Sequence, residues 1–180
     1  MKLVDCTRCP LHKTRIQVVK GSGSRNAKIF FIGEAPGEHE DIEGVPFVGY
    51  AGKILNEELT DNGIDRKDVY ITNTVKCRPP KNREPNISEK HACNVWLKKE
   101  LEIIMPDYII TLGAHAYRTI DEMLSPVRIG DGVYEVSFNK KKMVVHKMFH
   151  PAAVLYNPAL WKPFRVGFKL LIDKIKARPA

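Results

Sequence analysis

Three short runs of apolar, β-branched and aromatic residues stand out along the chain. They cover residues 28–32, 69–72 and 108–112, and they end at Gly33, Asn73 and Gly113. Short apolar runs that stop at turn-forming residues are typical of strands buried on both faces of a sheet. We therefore predict three core strands.

The segments between these runs repeat apolar residues at helical spacing. Residues 51–62 and 88–104 each present one apolar face, and residues 163–177 form a further amphipathic stretch. This spacing predicts three helices. Ser88 suits the N-cap position, so we expect the second helix to begin there.

Residues 133–138 and 143–149 bracket Asn139 and three lysines, which predicts an antiparallel hairpin. Strands that alternate with helices favour an α/β fold with a mainly parallel sheet. No repeat or linker interrupts the pattern, so we expect a single domain over residues 1–180. In such sheets the functional site forms where the parallel strands end.

The chain of 180 residues carries a net charge of +8, which favours a polyanionic partner such as nucleic acid. Residues 33–43 are acidic, whereas residues 76–83 and the tail up to Arg178 are basic. An acidic pocket on a basic body is typical of a reaction centre set in a binding surface. Charge runs that are merely solvated are the alternative explanation.

The first residues lack the apolar segment of a secretory signal. No apolar run approaches the roughly 18 residues that a membrane span needs. We therefore expect a cytoplasmic protein that does not act at a membrane.

Four cysteines tie three distant parts of the chain to one point: Cys6, Cys9, Cys77 and Cys93. Four thiols in a reducing compartment favour a metal site over disulfides. A zinc ribbon would show two close pairs, and only the first pair is close here, whereas four thiolates are the usual shell of a 4Fe–4S cluster. Zinc and buried apolar cysteines remain the alternatives.

Two loops next to predicted strands carry candidate chemistry. Residues 33–41 contain glycines that allow a ligand to approach the backbone, but no Walker lysine follows them. His150 precedes Pro151 and an apolar stretch that ends at Asn157, an arrangement that suits a wedge loop with a catalytic imidazole at its base. The other five histidines have no comparable setting.

Four motifs in order, GEAPG, PFVG, ITNTVKCRPP and HPAAVLYNP, together with the cysteines, resemble the family-4 uracil-DNA glycosylases, the iron–sulfur type of bacteria and archaea. The resemblance implies a three-layer α/β/α sandwich that acts as a monomer on uracil in single- or double-stranded DNA. It also implies a structural 4Fe–4S cluster held by the four cysteines, and no catalytic divalent metal.

Carried over by position, the resemblance gives each site residue a role. Phe47 would stack on the uracil ring, and Asn73 would read its O4 and N3–H. His150 would bind O2 and stabilise negative charge as the glycosidic bond breaks, with help from a backbone N–H near Glu34 or Ala35. Enzymes that act on a base take it out of the stack and read it in such a pocket.

Ala35 stands where the better-known uracil glycosylases carry the aspartate that holds the attacking water. Either Glu40 or Asp41 positions the water instead, or the water captures the sugar cation with little help from the protein. We favour Glu40. Gly37 replaces the aromatic residue that blocks the thymine methyl in those relatives, so the Glu40 side chain is a candidate for thymine exclusion.

The apolar tip at Leu155 and Tyr156 is expected to enter the duplex in place of the extruded base. A basic segment and the C-terminal helix are expected to contact phosphates. The residues of the basic segment are Lys76, Arg78, Lys81 and Arg83.

Two other classes of function compete with excision. A cysteine-ligated module that binds nucleic acid without cutting it would explain the charge and the thiols, but it leaves His150 without a role. A magnesium phosphodiesterase built on the acidic loop would be sensitive to chelators, whereas a glycosylase needs no divalent metal.

Overall fold

A computed structural model describes residues 2–130 and 133–177, so that Arg178 lies outside the described residues. The strands are β1 (Ser22–Gly23), β2 (Ile29–Gly33), β3 (Tyr70–Asn73), β4 (Tyr108–Leu112), β5 (Val127–Gly130), β6 (Val133–Phe138) and β7 (Lys141–Met148). The helices are α1 (Glu38–Glu43), α2 (Tyr50–Asp61), α3 (Ile87–Ile104), α4 (Ala114–Leu124), α5 (Ala153–Tyr156) and α6 (Trp161–Ala177). Each predicted strand and helix is present, with ends that differ by one or two residues.

The seven described strands form one mixed sheet in the order β1-β3-β2-β4-β7-β6-β5. The four central strands, β3, β2, β4 and β7, pair in parallel. The pairings at both edges are antiparallel, including the predicted hairpin of β6 and β7. The predicted parallel sheet is therefore confirmed for the centre, where the functional loops begin.

Alternation along the central strands sends side chains to two separate cores. Phe31 of β2 joins α2 and α6 on one face, while Phe30 and Ile32 join α3 and α4 on the other. All three side chains are fully buried. Helices on both faces of the sheet confirm the three-layer α/β/α sandwich.

Helix α3 begins one residue earlier than Ser88, and its N-cap is Asn86. The Glu89 Oε2 atom accepts a hydrogen bond of 2.7 Å from the Asn86 backbone N–H. A carboxylate three residues after the cap satisfies one of the unpaired donors at a helix start. The prediction of Ser88 as the cap was wrong, because Asn86 and Glu89 form this pair instead.

The central strands bring four loops to one edge of the sheet. β3 lies on one side of β2 and β4 on the other, so a crevice opens where the order changes direction. Gly113, which follows β4, has a φ of +91°, and a Cβ there would lie 3.2 Å from the His150 Cβ. A glycine at this position lets the loop after β7 pack against the end of β4.

Within the described ranges, we find no helix with the length and hydrophobicity that crossing a bilayer requires.

The stacked pair of Phe31 and Phe168 joins α6 to the sheet, with ring centroids 6.1 Å apart. Phe168 is fully buried, so Phe168→Ala should lower the free energy of unfolding by about 3–5 kcal/mol. Leu170→Ala is the matched control, since Leu170 lies on the same helix with 56% of its surface exposed. Denaturant titration measures both, and equal effects would contradict the assignment of α6 to the core.

Candidate active site and cysteine cluster

A cavity of about 540 Å³ opens at the carboxyl edge of the central strands. Its lining combines residues from the loops after β2, β3 and β7. The predicted site residues among them are Glu34, Ala35, Glu40, Phe47, Asn73, Arg83, His150 and Tyr156. The structure therefore brings together the base-reading, catalytic and wedge candidates that are far apart in sequence.

Phe47 forms one wall of the cavity and is 95% buried, with 5% of its surface exposed. Its φ of 53° lies in the left-handed region, which non-glycine residues rarely adopt outside sites held by their surroundings. The ring lies 5.7 Å from the His150 ring. A Cβ on Gly33 would overlap both Phe47 and Asn73, so the glycine lets these two side chains meet at the end of β2.

Asn73 ends β3 and is 3% exposed. Its side-chain Oδ1 is buried and has no hydrogen-bond partner in the part of the chain that the structure describes. An unpaired buried acceptor costs about 1–3 kcal/mol, so such an atom calls for a partner such as a ligand or a bound water. The oxygen is placed to accept from an N–H group inside the cavity.

His150 is held as a neutral imidazole. Its Nδ1 accepts a hydrogen bond of 3.1 Å from the Ala152 backbone N–H, so the proton resides on Nε2. Burial lowers the pKa of His150 to about 4, and the nearby Glu40 carboxylate offsets part of that shift. The ring therefore presents an N–H donor to a ligand at neutral pH.

Glu40 clamps the loop around the cavity. Its Oε1 accepts from the backbone N–H groups of Val48 and Gly49 at 3.0 and 2.8 Å, and its Oε2 accepts from that of Gly37 at 3.0 Å. A carboxylate has about four acceptor positions. One position on Oε2 remains for a water or a ligand.

Asp41, the alternative water-holding residue that the sequence analysis did not favour, faces away from the cavity and is not part of its lining. Both of its oxygens accept from the Ile16 backbone N–H, at 3.0 and 3.1 Å, and 1% of its surface is exposed. In helix α1 the neighbours Glu40 and Asp41 point in different directions, since successive residues are about 100° apart. Asp41 fastens the N-terminal segment instead.

Glu34 meets two residues that the sequence analysis did not connect with it. Its carbonyl accepts hydrogen bonds from Thr74 Oγ1 at 2.6 Å and from the Val75 N–H at 3.2 Å, which fixes the loop after β2. His115 Nδ1 lies 3.7 Å from Glu34 Oε1 and 2.7 Å from Glu84 Oε1. Burial raises the pKa of Glu34, and the His115 charge opposes that shift. No motif marks this cluster, because its members come from three elements.

The four cysteines lie in one cluster with the side chains of Leu11 and Trp96, and none of the four forms a disulfide. The Trp96 Nε1–H donates to Cys6 Sγ at 3.2 Å, and Arg15 Nη1 donates to Cys77 Sγ at 3.1 Å. Burial raises the pKa of the Cys77 thiol and raises that of Cys93 to about 12. Buried thiols that face N–H donors and a guanidinium fit ligands of an anionic cluster, which such donors tune.

The cysteines are distinct from a second group of potential metal ligands. Among the described residues, one ligand atom each of Glu34, Glu84 and His115 lies within 4.8 Å of the others. Four thiolates are the usual shell of a 4Fe–4S cluster, and a structural zinc ion can take the same donors. The four cysteines are therefore compatible with an iron–sulfur cluster.

Lys76 is not a surface residue, and its predicted phosphate contact is wrong. The side chain is fully buried, and its Nζ forms an ion pair of 2.6 Å with Glu100 Oε2. The prediction failed because a basic segment was treated as one exposed patch, whereas Lys76 lies between the end of β3 and the cysteines.

The other basic candidates lie near the rim. Arg78 forms a hydrogen bond of 2.7 Å to Asn82 and an ion pair of 3.5 Å with Glu38. Arg83 donates twice to Glu89, at 2.8 and 2.9 Å, and Lys81 is exposed. Both arginines form ion pairs with carboxylates of the protein, so Lys81 has the most accessible charge of the three.

The wedge candidates and the C-terminal helix differ in their distance from the cavity. Leu155 and Tyr156 in α5 are 48% and 89% exposed. At the end of α6, Lys176 donates to the Asn62 carbonyl at 2.6 Å, beyond the end of α2. Since α2 begins at the cavity with Tyr50, the last turn of α6 lies away from the site. This end of the helix is therefore a poor candidate for phosphate contacts.

Comparisons with known proteins agree with this geometry. The family model described as the uracil DNA glycosylase superfamily matches residues 20–170. A type-4 uracil-DNA glycosylase of Archaeoglobus fulgidus is 45% identical over 93% of this chain and 87% of its own length. Another, from Thermotoga maritima, is 46% identical over 87% of this chain and 81% of its own length. The chain therefore belongs to the uracil DNA glycosylase superfamily, within its type-4 family.

Proposed function

We propose that this protein removes uracil from DNA by hydrolysing the N-glycosidic bond, and so begins base excision repair of deaminated cytosine. The single observation that carries the proposal is the pairing of groups in the cavity at the ends of the central strands. There the unpartnered Asn73 Oδ1 lies in the same cavity as His150, whose Nε2–H is free to donate.

The proposed recognition of uracil uses both atoms of the Asn73 amide. Oδ1 accepts from uracil N3–H and Nδ2 donates to O4, while Phe47 stacks on the ring. Cytosine offers the reverse pattern, an amino group and a bare N3, and would leave Asn73 unpaired. A site that hydrogen-bonds its substrate rejects such an analogue by about 10⁴–10⁵.

In the proposed cleavage step, the electrons of the glycosidic bond move to the uracil ring. The His150 Nε2–H and a backbone N–H near Glu34 or Ala35 donate to O2, where negative charge develops. One such donor typically contributes about 10²–10³ in rate. A neutral imidazole is suited to this role, since it donates a hydrogen bond without first binding a proton.

A water molecule then bonds to C1′ of the sugar cation and gives up a proton, which neutralises the uracil anion that has left. Ala35 offers no base, and we assign water positioning to the Oε2 of Glu40, which has an acceptor position left after its bond to Gly37. The Glu40 clamp also fills the space near Gly37 that would admit the thymine methyl, since a Cβ on Gly37 would lie 2.8 Å from Oε2.

On the DNA side, we propose that Leu155 and Tyr156 replace the extruded base and that Arg78, Lys81 and Arg83 contact phosphates. Leu155, Tyr156, Lys81 and Arg83 are exposed, and Tyr156 and Arg83 line the cavity. Arg78 is half-buried and pairs with Glu38, which also lines the cavity. We propose that both single- and double-stranded DNA are substrates. We propose a cytoplasmic monomer.

We also propose that Cys6, Cys9, Cys77 and Cys93 hold a 4Fe–4S cluster. When bound, the cluster ties the N-terminal segment, the loop after β3 and helix α3 together, and it takes no part in bond cleavage. No catalytic divalent metal is needed in this scheme.

The first test compares oligonucleotides with one uracil or one thymine, in the presence of EDTA, with alkaline cleavage of abasic sites as the readout. Cleavage is expected at uracil alone. His150→Ala should lower the single-turnover rate by about 10²–10³, because it removes the O2 donor. His91→Ala is the control, since His91 is exposed on helix α3. DNA binding without any cleavage would instead favour a binding module.

The protonation of His150 gives a second test. Because burial lowers its pKa from 6.5 to about 4, the ring should stay neutral on acidification until close to pH 4. The unfolded chain binds this proton first, so the associated stability is complete above pH 6.5 and is lost as the pH falls toward 4. A ¹⁵N–¹H titration of the histidine rings follows Nδ1 and Nε2 directly, and titration of His150 near 6.5 would contradict the buried neutral form.

Purified protein is expected to be brown and to contain about four iron and four sulfide ions per chain. Cys93→Ser should lower the iron content, because it removes a ligand from helix α3. Metal analysis and the visible spectrum measure both. A colourless protein with one zinc ion would refute the cluster.

A further inference from the structure

Lys76 joins the cysteine site to the base-reading asparagine. Its buried ammonium donates three hydrogen bonds: to the Asn73 carbonyl at 2.7 Å, to Thr72 Oγ1 at 2.6 Å and to Glu100 Oε2 at 2.6 Å. An ammonium has three donors, so all of them are used. The side chain is therefore fixed at the end of β3.

The main chain of the same residue contacts the cysteine site. Cys77 is the next residue in the chain, and the backbone of Lys76 lowers the pKa of the Cys93 thiol against the larger effect of burial. The Lys76 carbonyl accepts from the Val19 N–H at 2.8 Å. Lys76 is thus covalently joined to one cysteine of the cluster and bonds to Asn73 through its side chain.

Glu100 strengthens this connection, because it lies on helix α3 two turns after Cys93. Its Oε1 accepts from the Gly21 N–H at 3.0 Å, and its Oε2 also accepts from Thr72 Oγ1 at 2.9 Å. The carboxylate that balances the Lys76 charge is therefore carried by the same helix as a cysteine of the cluster. A displacement of α3 would move both.

The buried charges make the connection stiff. The ion pair with Glu100 holds the Lys76 ammonium in place, because separating the two would leave an unpaired charge in a medium of low polarity. A shift of the Asn73 carbonyl would leave one donor of this buried ammonium without an acceptor, which is costly for a charged group. The side-chain amide of Asn73 belongs to the same residue as this carbonyl, and the neighbouring Thr72 is also bonded to Lys76.

Building on the proposed function, we propose that Lys76 is a positioning residue that holds Asn73 in the orientation that binds uracil and couples uracil binding to the integrity of the cysteine site. Neither Lys76 nor Glu100 lines the cavity, so both act through Asn73 and not on the substrate.

The variant Lys76→Met/Glu100→Gln tests the positioning role without leaving a buried charge unpaired. Single-turnover excision should slow by about ten- to hundred-fold, since small misplacements of catalytic groups have such effects. The inhibition constant of free uracil should rise by a similar factor, while the metal content per chain stays unchanged. Loss of uracil affinity in a folded, metal-loaded protein is a result that a purely structural role would not produce.

Lys141→Met/Asp107→Asn is the matched control. Lys141 also donates to a carbonyl, that of Met105, at 2.5 Å and pairs with a carboxylate, that of Asp107, at 2.7 Å. It is the first residue of β7 and lies outside the cavity lining. Rate and uracil inhibition should stay within about two-fold of the unchanged protein, as expected for a distant surface pair. Unchanged uracil inhibition in the Lys76 variant, or an equal loss in the control, would overturn the proposal.

A measurement on the unaltered protein decides the case if the double variant does not fold. Coupling between two sites is reciprocal for their binding free energies, so saturating free uracil should lower the ratio of released to bound metal, at equilibrium with a chelator, by about five-fold or more. Asn73→Ala should abolish this protection. If uracil leaves that ratio unchanged, the coupling is refuted. A protein that excises uracil yet shows no coupling refutes this inference alone, whereas an unaltered protein that excises nothing refutes the proposed function.

Discussion

Asn73 carries an amide oxygen into the interior of the protein, where the described residues offer it no partner. A buried acceptor without a hydrogen bond lowers the stability of the fold unless a ligand donates to it. The neighbouring residues leave space for such a donor. Phe47 forms one wall of the cavity, and Gly33 has no side chain that would occupy the space of the amide. Lys76 fixes the backbone to which the amide is attached. In the proposed function, the stability that is lost at this oxygen becomes selectivity when a base with a matching N–H binds.

The same requirement explains the other polar groups around the cavity. Glu40 satisfies three backbone N–H groups of the loops that shape the cavity, and Ala152 fixes the tautomer of His150. None of these bonds has to form during a reaction. Donors and acceptors that are oriented before the substrate arrives are the main source of electrostatic stabilisation in many enzymes.

Features that depend on neighbouring residues could be predicted from the sequence, whereas features that depend on distant partners could not. The strand ends at Gly33 and Asn73 follow from apolar runs that stop at turn residues, and their meeting follows from the parallel sheet. The burial of Lys76 depends on Glu100, which lies 24 residues away and shows no sign of pairing in the sequence. The separate roles of Glu40 and Asp41 depend on which side of a short helix faces the cavity, and the contact of His115 with Glu34 depends on how α4 packs.

The spacing of the cysteines affects how the protein is made. Cys6 and Cys9 leave the ribosome early, but their partner Cys93 follows only when about half of the chain has been synthesised. Until then two exposed thiols wait near the N-terminus, open to oxidation and to stray metal ions. The proposed cluster therefore cannot be completed by a nascent fragment that ends before Cys93, and its insertion requires a chain in which the first two core strands have been synthesised.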